Sequence, residues 1–258
     1  MITGGTFLKK KISLFIVGVV AFCVILQFAP TLSLRTGDMI TWETEQYILY
    51  FNEDDRPGAE AIFAQLEKDV PRINETLEFT PSDKVEVYIY ENQKVLHQKK
   101  YGFLVSLLRL DWYIGDNVRD KVIIVSPINP GPVHSFDSVV EVVSHEYVHA
   151  LIYQINKKVP LWLDEGLALF LTNGQPLISS MHSQIPTYKE TQTNNPIRFA
   201  NANGYGMAHI YIEFLTETYG FESVLELVHA PKEHERIFSR TEKQLYDDWL
   251  EYLRMMYP

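Results

Sequence analysis

The sequence predicts an α+β fold, a mixed sheet built early in the chain and a helical part built late, behind one N-terminal apolar helix. Three observations predict it. Short β-rich segments fall in the first half of the chain, at 47–51, 84–90 and 121–126. Longer segments of helical period dominate the second half, at 138–156, 160–171, 205–219 and 221–252. Ahead of both, Lys9, Lys10 and Lys11 precede an uncharged apolar run over 12–29.

Composition sets the bounds. The chain has 258 residues, enough for one sizeable domain or two small ones. Its 46% hydrophobic and 22% charged residues are ordinary for a globular protein, and no repeat or low-complexity tract interrupts it. A net charge of −10 argues against nucleic acid as a partner, because phosphate binding needs clustered Lys and Arg. The one cysteine, Cys23, lies in the apolar run, so the rest of the chain has neither a disulfide nor a thiolate.

Taken in order, residues 1–11 read as a basic cytoplasmic tail and 12–29 as a transmembrane anchor. Its 18 residues are about the minimum for a bilayer. By the positive-inside rule the remainder then lies outside the cytoplasmic membrane. The stretch after Gln27 is a poor signal-peptidase site, which favours an uncleaved anchor over a leader. An exported chain without disulfides fits a bacterial source. Residues 30–45 read as a linker and 46–258 as the main domain. Tyr47–Phe51 reads as a strand and 57–77 as a helix that Pro71 is expected to interrupt. Residues 84–90 alternate as a strand, 95–110 are partly helical, and 121–126 form a strand closed by Pro127. Ser138 with Glu141 has the form of a capping box and is expected to start a helix reaching about Asn156. Pro160 opens a second helix, 173–203 is a long polar loop, and a helix from Tyr205 stops at Gly220. The remaining C-terminal segment is helical with a break near Pro231.

The chemistry lies in His145-Glu146-Tyr147-Val148-His149. On a helix, residues four apart share a face, so both imidazoles can reach one tetrahedral zinc ion. Glu146 is placed beside the metal, where it can take a proton from water and hand it to a leaving amine. Such a five-residue match occurs by chance in about one chain in a hundred. Here it sits inside a predicted helix with an apolar stripe of Val139, Val142, Val143, Tyr147, Ala150 and Leu151. A catalytic zinc needs a third protein ligand. A His-x-x-Gly-x-x-His continuation is excluded, since Ile152 and Ile155 hold those positions. Glu165, in the segment Pro160-Leu161-Trp162-Leu163-Asp164-Glu165-Gly166-Leu167-Ala168, is the next candidate, and Gly166 would let two helices approach closely.

The pairing of these two segments resembles the gluzincin metallopeptidases of the peptidase MA-like superfamily. Trp162, Glu165, Gly166 and Ala168 match the W-x-x-E-G-x-A element of that family. The resemblance implies a zincin-like domain over 46–258, one Zn2+ held by His145, His149 and Glu165, and Glu146 as general base. It implies a peptide or protein substrate. The short spacing between His149 and Glu165 is similar to that of the smaller members. No G-x-M-E-N motif is present, which argues against an aminopeptidase and for an endopeptidase. The position four residues after Glu165 is Leu169, where some relatives carry an acidic residue; Asp164 is an alternative, although an exposed helix position is its commoner explanation. In aminopeptidase-like relatives a Tyr at the head of a later helix donates to the developing oxyanion. Tyr205 resembles it, against the alternative of a packing aromatic.

Other residues draw plainer expectations. His209 is expected to be a packed histidine, and His134, His182, His229 and His234 to lie on the surface. Strand 121–126 is either the sheet edge that receives an extended peptide or a central strand. The loop over 173–203 is placed to wall or cover a cleft. The competing functional class is a catalytically inactive zinc-binding domain that acts as a membrane-tethered partner-binding module. A closed structural zinc site is excluded for want of a fourth ligand such as Cys.

Overall fold

The computed structural model describes residues 4–108, 110–172 and 185–257. Helix α1 spans Gly4–Phe28 and leads through a 3-10 turn at Ala29–Leu32 into the domain. Its segment Leu14–Leu32 is long and apolar enough to cross a membrane, and none of it is buried against the domain. Five strands follow: β1 (Ile40–Glu43), β2 (Tyr47–Phe51), β3 (Val85–Tyr90), β4 (Gly115–Val118) and β5 (Lys121–Val125). Interleaved with them are α2 (Arg56–Thr76) and α3 (Gln93–Tyr101). Then come α4 (Phe136–Ile155), α5 (Leu161–Leu171), α6 (Tyr188–Thr191), α7 (Pro196–Asn201) and α8 (Gly204–Tyr219). The chain closes with α9 (Phe221–His229), α10 (His234–Phe238) and α11 (Glu242–Met256). The fold is α+β.

The sheet order is β1-β2-β3-β5-β4. The three inner strands are parallel, and the outer two are antiparallel to their neighbours. Alternation along the strands sorts the faces. Tyr47, Leu49 and Val87 share one face, and the Tyr47 hydroxyl reaches Glu67 of α2 at 2.5 Å. Tyr50 and Tyr88 stack on the other face, where Arg35 lies over the Tyr50 ring. Helices α2 and α4 cover the first face. Ser144 of α4 donates to Asp69 of α2 at 2.7 Å, and Tyr147 bonds Asn74 at 3.3 Å. Complete burial of Val139, Val143, Tyr147, Ala150 and Leu151 fixes α4 against this layer, at roughly 1.5–3 kcal/mol for each large side chain.

Several expectations change. Pro71 does not interrupt α2. Pro71 and Glu67, whose carbonyl loses its donor, are both exposed, while Ile62, Leu66, Val70 and Ile73 hold the opposite stripe in the core. The capping box of α4 lies one turn earlier than expected. Ser135 accepts from the Ser138 amide at 3.1 Å, and the Ser138 hydroxyl accepts from the Ser135 amide at 3.0 Å. Residues 30–45 include strand β1. Of the two alternatives for 121–126, the central strand holds for β5, and β4, which periodicity did not indicate, is one of the two edges with β1. Of the long loop, 173–184 lies outside the described residues, and α6 and α7 occupy part of the remainder. The C-terminal segment is three helices rather than one interrupted helix.

Candidate metal centre

Helix α4 delivers His145 and His149 from one face, and α5 delivers Glu165 from the facing helix. The connection between the helices is short because Asn156 caps α4 and Pro160 opens α5. His145 Nε2 and His149 Nε2 stand 3.0 Å apart. Glu165 Oε2 lies 3.4 Å from the first and 3.6 Å from the second. These three residues could hold a metal ion. A tetrahedral zinc with bonds of 2.0–2.1 Å separates its ligand atoms by about 3.3 Å, which the observed separations bracket.

The surroundings favour a cation at this point. Glu165 Oε2 is buried and has no hydrogen-bond partner. The His149 Nδ1 lies 2.8 Å from Asp164 Oδ1, which leaves its Nε2 facing the cluster. Asp164 is therefore paired with His149 rather than a merely solvated helix residue. Burial pushes Glu165 up, but His145 and His149 outweigh it and hold its carboxyl at about 2. Burial likewise pushes His149 down, yet Asp164 and Glu165 raise it well above the ordinary histidine value. Burial lowers His145. The Glu165 carboxylate and Asp164 thus both favour positive charge on His149, between α4 and α5.

Glu146 lies next to this cluster, against the sheet edge. A Cβ at Gly115 of β4 would meet Glu146 Oε1 at 3.2 Å, so the missing side chain leaves the carboxylate its space. Asn117 of the same strand donates to the Glu146 carbonyl at 2.9 Å and ties α4 to β4. Burial pushes the Glu146 carboxyl up to about 8; Asp116 and Glu165 add to this, and His149 and Lys100 oppose it. Lys100 pairs with Asp116 at 3.0 Å, and Tyr113 donates to the same carboxylate, so the edge strand is held from behind.

Tyr205 lies in the first turn of α8, 41% exposed, with its ring edge-on to Phe199. Burial, then the charges of Glu165, Glu146 and Asp116, raise its phenol above the ordinary value, so it stays a donor. Gly166 does permit a close approach, but of α5 to α8: a Cβ there would sit 2.6 Å from the Ala208 carbonyl oxygen. The histidines separate by surroundings. His209 is buried beside Phe170, and burial lowers its pKa. His134 bonds the Trp112 carbonyl at 3.0 Å. His234 is partly buried with Glu242 near it, rather than a free surface group. His182 lies outside the described residues. The residues that sequence reasoning passed over are Gly115, Asp116 and Asn117, whose polar composition carries no strand signal.

No family model matches the chain. It is 24% identical over 207 residues to a protein of Bacillus subtilis (strain 168) named uncharacterized protein YhcO, which covers 71% of this chain. The chain spans 64% of the length of that relative.

Proposed function

We propose that the chain is a zinc-dependent peptidase of the gluzincin type, an endopeptidase held at the outer side of the cytoplasmic membrane by α1. The observation that carries this reading is the convergence of His145 and His149 of α4 with Glu165 of α5 at 3.0–3.6 Å, with Glu146 buried beside the histidines on α4. His145, His149 and Glu165 would hold the ion, and a zinc ion there supplies Lewis acidity for peptide hydrolysis. Its donor count also serves non-haem iron(II), so metal analysis must read both.

The chain's own groups divide the remaining work. Glu146 accepts a proton from the attacking water and returns it to the leaving amine. Burial raises the proton affinity of the Glu146 carboxyl and the charge of a bound cation would lower it, which would suit a group that both takes and returns a proton. The Tyr205 phenol donates to the carbonyl oxygen as charge develops there. Strand β4, at the sheet edge beside Glu146, offers backbone groups to an extended peptide. Asp164 orients His149.

The test is a peptide library exposed to the purified full chain and to its Glu146→Gln variant, with cleavage read by mass spectrometry and bound metal by elemental analysis. Cleavage by the first alone, with zinc in both, supports the peptidase. Zinc in both and cleavage by neither would favour the partner-binding module.

A further inference from the structure

Helix α1 is not joined to the domain by a loose tether. Its last turn carries Gln27, whose Nε2 donates to the Tyr101 carbonyl at 3.2 Å and whose Oε1 accepts from the Leu104 amide at 2.8 Å. Gly102, at φ +83°, makes the contact close: a Cβ there would lie 2.3 Å from the Gln27 carbonyl oxygen. The segment that follows is pinned in turn. Lys99 bonds the Ser33 carbonyl at 2.6 Å, Tyr90 the Leu34 carbonyl at 2.8 Å, and Arg35 the Met39 carbonyl at 3.0 Å. The domain therefore has a set orientation on the helix.

That orientation places an apolar surface at the end of the span. The 3-10 turn Phe103–Leu107 begins at the residues that Gln27 holds. Phe103, Leu104, Leu107 and Leu108 are 50–79% exposed, and Trp112 follows at 63%. Gln27 itself falls within the apolar segment Leu14–Leu32. Backbone bonded to Gln27 is thus level with the end of that segment and not above it. Side chains exposed at that level meet the headgroup and upper acyl region, where Trp and Leu are favoured. Beside them Lys94 of α3 is exposed, while the Lys99 and Lys100 ammonium groups are held by the Ser33 carbonyl and by Asp116.

We propose that Phe103, Leu104, Leu107, Leu108 and Trp112 form a second membrane attachment, immersed in the lipid interface beside α1. The proposal rests on the reading of Leu14–Leu32 as a membrane span, and its occupant is the bilayer rather than a protein. Strand β4 starts three residues after Trp112, so the sheet edge beside the metal cluster leaves this surface directly.

The full chain with Cys23→Ser and Leu107→Cys, labelled with an environment-sensitive fluorophore, is reconstituted in phosphatidylcholine–phosphatidylglycerol vesicles. Leu107 is 79% exposed, so the label displaces no packing. Leu104→Cys repeats the measurement, and Glu235→Cys, on exposed α10, is the control. Lipids bearing a nitroxide at the upper acyl chain are expected to quench the label at 107 and 104 by about half and at 235 by less than about a tenth. Equal quenching at 107 and 235, in a chain that resists carbonate extraction, overturns the attachment while the span stands. Release of the chain by carbonate overturns both. A label at 107 shielded from lipid quenchers but crosslinked to a second copy assigns the patch to self-association and overturns the proposal.

Discussion

Replacing Gly166 with Ala tests whether the cluster depends on how closely α5 approaches α8. The added Cβ would stand 2.6 Å from the Ala208 carbonyl oxygen and 2.8 Å from Ile212 Cγ1, where ordinary contact begins at 3.4 Å. The obstacle is backbone on a packed helix, so no side-chain rotation relieves it, and the helices must part by about 0.8 Å. Overpacking of this kind costs roughly 1–3 kcal/mol, or about 2–12 °C in Tm for a domain of this size. The more specific consequence falls on Glu165, the preceding residue. Metal ligands tolerate displacements of about 0.2 Å, so zinc affinity should fall about 10–100-fold. Thermal melts followed by circular dichroism give the first number, and zinc competition with a chromophoric chelator gives the second. Gly37→Ala is the control, because a Cβ there meets nothing within 4 Å. A Gly166→Ala protein with lowered Tm but zinc affinity within about twofold of wild type would refute the coupling of α5 position to the cluster.

Three further outcomes are expected. Zinc at about a thousandfold over its Kd should stabilise the chain by about 4 kcal/mol and raise Tm by about 8–16 °C, an effect that Glu165→Ala should abolish; an equal rise in the variant would place the metal elsewhere. Tyr205→Phe should leave zinc binding and Tm unchanged and lower kcat about 10²–10³-fold with little change in KM, whereas an unchanged kcat removes Tyr205 from the reaction. The third concerns Asp55, which burial pushes from 3.8 up to about 6, against the opposing Ser126 hydrogen bond. A raised carboxyl pKa favours the protonated fold, so its stability contribution is present below pH 4 and lost as pH rises through 6. The full displacement corresponds to about 3 kcal/mol; partial solvation reduces the expected loss, relative to Asp55→Asn, to about 1–2 kcal/mol. Denaturant melts from pH 4 to 7 should show this divergence, and parallel curves would count against a buried Asp55 only partly compensated by Ser126.

What could be read in the chain follows from where side-chain pattern decides the structure. Strands β3 and β5 are buried on both faces over most of their length, β2 alternates between buried and half-buried residues, and their β-branched and aromatic runs announce all three. Helices α4, α5 and α8 carry apolar stripes long enough to overrule competing signals, and Gly220, at φ +84°, ends α8 where expected. Pattern misled where tertiary support outweighed a local rule. Pro71 reads as a breaker, yet the buried stripe of α2 holds the helix through it. Ser138 reads as a cap because Glu141 follows it. Ser135 is the cap because the backbone turns one position before Phe136, and Ser138 serves as its partner.

The least legible element is the one that completes the site. Strand β4 is Gly-Asp-Asn-Val, half-buried along its length, with no alternation to detect. It is a strand because β5 pairs with it through the two-residue turn at Arg119-Asp120, where Arg119 adopts φ +62° without the Asn-Gly signal of such turns. Each of its residues serves something beyond the strand. Gly115 leaves space for Glu146, Asp116 anchors Lys100 and Tyr113, and Asn117 ties the strand to α4. Better β-formers would close the space beside Glu146 or drop these ties. The weak strand propensity of 115–117 is therefore the local cost of a sheet edge built around a buried carboxylate, and a weak strand beside a helix motif is the signal by which such an edge can be sought.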